Sequence, residues 1–312
     1  MRSTDYDVVI VGGGPAGLSA AVALGRSLRS VLVVDAGRPR NAPAAGAHNV
    51  LGHEGIPPAE LLARGRDEAR GYGVEIRAGE VADATRDGDG FTFRLADGDT
   101  VTARRLLLAA GLVDELPDVP GVADLWGSSV LHCPYCHGWE VRGQRIGVLG
   151  TGAMSVHQTL MFARLSDDIT LFTHTMTPEP EQVEQLSALG VRIVEERVER
   201  LGIVGDTLRS VVLADGRAVE RDALLVAPRF VVRSELFTRL GGELADHPMG
   251  GQHIPTGPMG ATDLPGVWAA GNVADLSATV AVSMGAGVSA GAAINADLIA
   301  ADVRTAIAAA RV

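Results

Sequence analysis

Apolar positions along this chain follow three patterns, and each predicts a different element. Continuous apolar runs bounded by glycine, of which Asp7-Val8-Val9-Ile10-Val11 is the first, predict strands buried on both faces of a parallel sheet. Similar runs, with a polar residue at some of their ends or within them, cover residues 30–34, 105–109, 145–149, 169–173 and 224–227, and residues 74–78 read as a short strand. Strict alternation over residues 91–95 and 101–102, with Ala96-Asp97-Gly98-Asp99 between them, predicts a hairpin with one wet face. Residues 192–200 and 211–213 read as further strands, followed by the turn Ala214-Asp215-Gly216-Arg217. Helical patterning follows Gly17, runs from Pro57 to about Tyr72, and returns after Asp275. Strands alternating with helices place the chain in the α/β class.

Glycines at the strand ends give that pattern chemical content. Gly12-Gly13-Gly14-Pro15-Ala16-Gly17 joins the first strand to the first helix. The first glycine permits the tight turn, the second lets a pyrophosphate approach the backbone, and the third lets helix and strand pack closely. The next strand ends at Asp35, 23 residues beyond Gly12, where an acid can bind ribose hydroxyls. A second turn, Gly150-Thr151-Gly152-Ala153-Met154-Ser155, repeats the plan with serine in the third position. The same offset of 23 residues lands there on Thr173, and His174-Thr175 follow without an arginine for a 2′-phosphate. The sequence therefore predicts two Rossmann-like dinucleotide-binding domains, the second degenerate for nicotinamide binding.

Prolines at Leu116-Pro117-Asp118-Val119-Pro120-Gly121 mark a domain crossing, and residues 265–272 read as a strand leading back. The expected division is a discontinuous first domain, residues 1–115 and 247–312, with residues 116–246 inserted in it. A long loop from Gly37 to Gly52, containing Arg40, Asn41 and Asn49, is of a length that usually carries function.

Composition narrows the choice of partners. With 27 basic against 38 acidic residues the net charge is −11, which argues against a nucleic-acid binder. All the basic residues are arginine, which excludes Schiff-base and P-loop lysine chemistry. The polar start, Met1 to Asp7, does not read as a signal peptide, so a cytoplasmic chain is expected. The apolar stretch from Ala278 to Ala301 is dotted with Gly285, Gly287 and Gly291, and reads as a packed helix rather than a membrane span.

The only two cysteines of the 312 residues fall in His132-Cys133-Pro134-Tyr135-Cys136-His137. Two thiols at this spacing can close a small disulfide ring, and a turn running into a helix favours the thiolate. A four-thiolate zinc site would need two more cysteines, although a mixed site using His132 and His137 stays open. A structural disulfide closing so small a loop would stabilise little. Redox chemistry is the working reading, with no metal.

With these features together, residues 5–300 resemble the low-molecular-weight thioredoxin reductases. Their offshoot, the FAD-dependent dithiol oxidases of the holomycin and gliotoxin type, is more similar still. The resemblance implies a homodimeric flavoprotein with FAD held by Gly12, Gly14, Pro15, Ala16, Gly17, Asp35, Ala36, Arg40, Asn41, Asn49, Val81, Ala110, Gly111, Gly271, Asn272, Thr279 and Val280. It implies catalysis by Cys133 and Cys136, with His137 and His132 as bases. Reductases carry aspartate after the second cysteine, arginines after the second ribose strand and an Arg-Gln-Ala contact near the C-terminus. Here His137, His174-Thr175 and Thr279-Val280-Ala281 stand instead. Histidine suits proton exchange near neutrality. The implied activity is oxidation of a small-molecule dithiol to its disulfide, with O2 as acceptor and H2O2 as product. An NADPH- or ferredoxin-dependent thioredoxin reductase and a flavin redox sensor that does not turn over are the alternatives.

Overall fold

In the computed structural model, which describes residues 5–311, the first strand is buried on both faces. Strand β1 (Asp5–Val11) sends Val8 and Ile10 into one core cluster, with Ala20 and Leu24, and Val9 into another, with Phe91, Phe93 and Leu106. Helix α1 (Pro15–Arg26), β2 (Val31–Asp35), α2 (Pro58–Gly71) and β3 (Glu75–Ala78) follow. Next come β4 (Val81–Asp87), β5 (Gly90–Leu95), β6 (Thr100–Leu108) and β7 (Leu112–Glu115). Strands β3, β2, β1 and β6 pair in parallel, and β5 and β4 extend the sheet antiparallel.

Two elements differ from the sequence reading. Residues 101–109 do not form two short strands, because β6 runs unbroken with Arg105 buried inside it and paired to Asp297. Strand β4 carries Ala82, Asp83, Ala84 and Asp87, residues depleted in strands, and exists because β5 supplies its ladder.

The chain divides into two compact units: Met1–Ala42, Pro58–Val113 and Phe230–Val312 in the first, Pro43–Pro57 and Asp114–Arg229 in the second. The second holds β8 (Val130–Leu131), α3 (Pro134–His137), β9 (Ile146–Leu149), α4 (Ala153–Phe162), β10 (Ile169–Phe172) and α5 (Pro180–Ala188). It continues through β11 (Arg192–Val194), β12 (Val198–Val204), β13 (Thr207–Leu213), β14 (Ala218–Glu220) and β15 (Ala223–Leu225). Its parallel sheet has the order β11-β10-β9-β15-β8, and β12, β13 and β14 make a separate antiparallel sheet. Residues 43–57 join this unit partly because Gly127 lacks a side chain, since a Cβ there would sit 2.6 Å from Pro43 Cβ.

Strand β16 (Arg229–Val232) pairs with β7 and returns the chain, followed by α6 (Glu235–Arg239), β17 (Ala245–Asp246), β18 (Gln252–His253), β19 (Val267–Ala269) and α7 (Val280–Ala309). The return falls at Phe230, ahead of residue 247, because Phe230, Val232 and Phe237 complete the same core as Phe91 and Leu106. Strand β19 pairs in parallel with β6. By length and composition alone, α7 could cross a membrane. Its glycines instead seat it on α1: a Cβ at Gly287 would lie 2.1 Å from the Ala16 carbonyl oxygen, and one at Gly291 would lie 3.1 Å from that of Ala20.

Candidate active site

The first glycine turn is built by close approach. Gly12 has φ +108°, and a Cβ on it would meet the Ala109 oxygen at 2.4 Å. At Gly17 a Cβ would lie 1.9 Å from the Gly12 oxygen. Gly14 has the opposite surroundings, with no atom within 4 Å of where a Cβ would stand. It is the N-cap of α1, followed by Pro15, and no side chain caps that end. Backbone N–H groups of the first turn are thus left for an anion. The Gly13 N–H donates to Asp35 Oδ1 at 3.1 Å, so the acid is fixed beside the turn.

Of the other cofactor candidates in the first unit, Ala110 and Gly271 lie against this turn. A Cβ on Gly271 (φ +75°) would touch Ala16 Cβ at 3.0 Å. Asn272 Nδ2 donates to the carbonyls of Asp275 (3.1 Å) and Ala278 (2.9 Å), and its Oδ1 accepts from Arg40 Nη1 at 3.3 Å. Arg233 donates from Nη1 to the Ala110 carbonyl at 3.1 Å and from its backbone to that of Gly111 at 3.0 Å. Thr279 is the N-cap of α7, its hydroxyl accepting from the Val282 N–H at 3.5 Å, and Val280 is the first helical residue. Val81 opens β4, partly buried against the sheet core, Asn41 is half-buried and Ala36 is exposed. Open amides at a glycine turn, a ribose-reach acid and a third close glycine together fit a dinucleotide.

The second turn keeps the shape but changes the chemistry. Ser155, fully buried, accepts from the Thr151 N–H at 3.1 Å and donates to the Leu149 carbonyl at 3.2 Å, so an amide of the turn is already satisfied. Thr173 donates its hydroxyl to the Glu195 carbonyl at 3.2 Å. His174 adopts φ +49°, and its Nδ1 accepts from the Val198 N–H at 3.2 Å. Burial, helped by the Arg197 charge, pushes the His174 pKa down, consistent with a neutral ring used as an acceptor. Open space remains only at Gly152, where nothing lies within 4 Å of a Cβ.

The dithiol sits on one short turn of the second unit. Cys133 is the N-cap of α3, and the Cys136 and His137 amides donate back to its carbonyl at 3.3 and 3.1 Å. The two Sγ atoms are 2.7 Å apart. With α3 only four residues long, its dipole acts on the thiols less strongly than the sequence reading supposed. Gly138 is required there, because a Cβ would lie 2.3 Å from the Pro134 oxygen and 2.5 Å from Leu165 Cδ1. Among the described residues the buried Nε2 of His137 has no hydrogen-bond partner, and burial pushes the His137 pKa down against the pull of Glu140. A neutral imidazole with a vacant ring nitrogen beside a dithiol can accept a proton.

Several residues that frame this turn had no motif to announce them. Gln158 of α4, buried, donates to the His132 and Val226 carbonyls, making the second nucleotide helix a scaffold for the thiols. Asn49, φ +60°, donates from Nδ2 to the Tyr135 carbonyl at 2.8 Å, so in this structure its side chain steadies the cysteine turn of the second unit. His48 lies between Glu54 and Glu140. Among the described residues no cluster of histidine, cysteine and carboxylate suited to a metal occurs.

Such a fold, two nucleotide-type units with a redox-spaced cysteine pair on one of them, defines an oxidoreductase acting on disulfides. The model of the pyridine nucleotide-disulphide oxidoreductases matches residues 6–287, and the chain belongs to that family. Among its relatives, the thioredoxin reductase tcpT of Claviceps purpurea is 36% identical over 287 residues, 86% of this chain and 87% of that protein. The thioredoxin reductase sirT of Leptosphaeria maculans is 31% identical, with 96% of each chain covered. The crystal structure of HlmI superposes with a TM-score of 0.95 at 44% identity, covering 99% of this chain and 98% of that one. These findings agree with the resemblance read from the sequence, and the thioredoxin reductases to which the chain is related are flavoproteins.

Proposed function

We propose that this protein is an FAD-dependent dithiol oxidase that closes a disulfide in a small molecule. The carrying observation is the group beside each turn: the first holds the Asp35 carboxylate on the Gly13 amide, while the second has the Ser155 hydroxyl on the Thr151 amide, with Thr173 and His174 held by backbone groups. One site is thus suited to a flavin dinucleotide, and the other lacks charged groups for a nicotinamide one. Gly12, Gly14 and Gly17 would receive the FAD pyrophosphate, Asp35 the adenosine ribose, and Gly271 with Asn272 the flavin end. When bound, FAD supplies a two-electron acceptor that O2 can reoxidise to give H2O2.

His137 Nε2 takes the proton of the incoming thiol, whose thiolate attacks Cys133 of the oxidised pair, and Cys136 leaves as the thiolate. The substrate's second thiolate then attacks the sulfur bonded to Cys133, releasing the cyclic disulfide and the Cys133 thiol. One dithiol is oxidised, one enzyme disulfide is reduced, and Cys136 is the exit for the electron pair. An exposed apolar stripe on α7 (Val288, Ile299, Val303 and Ile307) suits pairing with a second copy, and the site chemistry suits a reducing cytoplasm.

Gly152 and the names of the relatives favour a second reading, an NADPH-dependent thioredoxin reductase. Anaerobic titration of the yellow protein separates the two. Bleaching of the flavin by dithiothreitol alone, reversed by air, is expected. Bleaching by stoichiometric NADPH would overturn the oxidase reading.

A further inference from the structure

The cysteine turn is faced by a chain of charged groups from a distant part of the sequence. Glu54 accepts through Oε2 from the Asn49 N–H at 2.8 Å, and its Oε1 lies 2.7 Å from His48 Nδ1. The other ring nitrogen of His48, Nε2, lies 3.5 Å from Glu140 Oε1. Glu140 stands three residues after His137 on the winding that continues α3, a spacing at which side chains are neighbours. Asn49 holds the loop that carries His48 and Glu54 onto this winding through its bond to Tyr135. All these residues belong to the second unit.

Both nitrogens of His48 face carboxylate oxygens, an arrangement in which an imidazolium donates on both sides and a neutral ring leaves one side unmatched. The bonds from His48 and from the Asn49 amide hold the Glu54 carboxyl below its usual range, so a charge is present behind the ring. At the far end, Glu140 favours a proton on His137 and His48 opposes it, against the larger effect of burial. Besides Glu140 and His48, the ionisable groups on the turn of His137 are the two thiols and the Tyr135 phenol.

We propose that His48, anchored by Glu54, is a positioning residue that neutralises Glu140 and so keeps His137 available as a base. The inference rests on the reading of His137 as proton acceptor. It gives the loop of residues 43–57 a task in dithiol chemistry: the loop carries the counter-ion that sets the pH at which oxidation switches off.

The test is the pH dependence of kcat/KM for dithiothreitol oxidation by the holoenzyme. His48→Gln exposes His137 to the full Glu140 charge, so the acid limb moves to higher pH, with activity on that limb roughly three- to tenfold lower. Glu54→Gln, which leaves the ring in place, moves it the same way by less. Glu140→Gln moves the limb to lower pH, and with that change present His48→Gln moves it by less than in the native background. Flavin content and thermal unfolding of each variant establish that the fold persists. A limb that stays put, or that moves the same way in His48→Gln and Glu140→Gln, overturns the inference. His137→Asn separates the two claims. Loss of the limb there with no movement in the other variants defeats only the role of His48, whereas persistence of the limb in His137→Asn defeats both.

Discussion

The two units carry the same strand–glycine turn–helix plan, yet they differ in the group that stands against the turn. In the first, Gly17 packs on the Gly12 carbonyl, the α1 amides are uncapped and Asp35 stands beside Gly13. In the second, the corresponding Ser155 brings its own hydroxyl, which satisfies the Thr151 amide and the Leu149 carbonyl from inside. Neither helix N-terminus carries a side-chain cap, and each turn has one amide held by a side chain, so that group separates them: a carboxylate able to reach a ribose in the first, a buried hydroxyl in the second. The second helix has a different use, because Gln158 reaches from it to the carbonyl before Cys133. A helix of nucleotide-fold type thus also serves as a scaffold for the cysteine turn.

The largest expected effect is at the first turn. Gly17→Val would place a β-carbon 1.9 Å from the Gly12 oxygen, so the purified protein should be colourless and less stable by about 3 kcal/mol, as read by flavin absorbance and urea unfolding. Next in size, Cys136→Ser should lower dithiol turnover on the order of 10³-fold while leaving flavin content unchanged. Equal loss of both would mean that the two functions are not divided between the units.

Smaller changes sharpen the same contrast in the second unit. Ser155→Gly removes two buried hydrogen bonds and should cost about 1–3 kcal/mol without allowing NADPH to bleach the flavin. Adding His174→Arg supplies a partner for a 2′-phosphate and should raise NADPH affinity about tenfold, measured by calorimetry. The smallest effect concerns Asp222, onto which Arg145 forks at 2.9 and 2.7 Å, holding that carboxyl at about 2. A folded-state pKa below the unfolded one contributes stability that is fully present above about pH 4 and lost as pH falls towards 2. Asp222 is partly exposed, so Asp222→Asn should cost roughly 1 kcal/mol or less at pH 7. In thermal scans that difference should vanish at the acid end of the window.

Elements with a strong local signal were legible before any coordinates. Val8 to Val11 and Ile146 to Leu149 are apolar without interruption, and Ile169 to Phe172 apart from Thr170, because both faces of each strand are covered. The glycine turns were legible because only glycine tolerates the contacts made at positions 12 and 17. Strand β4 was not, because its ladder comes from β5 and its own residues are polar. His48, Glu54 and Glu140 were equally silent, because each is an ordinary surface residue until Asn49 bonds to Tyr135 and brings the loop to the thiols.

By itself, the sequence determined the α/β class, the two nucleotide turns, the lone cysteine pair with its following histidine, and the missing charge at Thr173. Each depends on residue types at fixed short spacings, which the backbone converts directly into geometry. Only the tertiary structure decided where the chain returns to its first unit, that Ser155 closes the second turn, and that Glu54, His48 and Glu140 line up beside His137. Those are contacts between residues far apart in the chain, and packing alone brings them within reach.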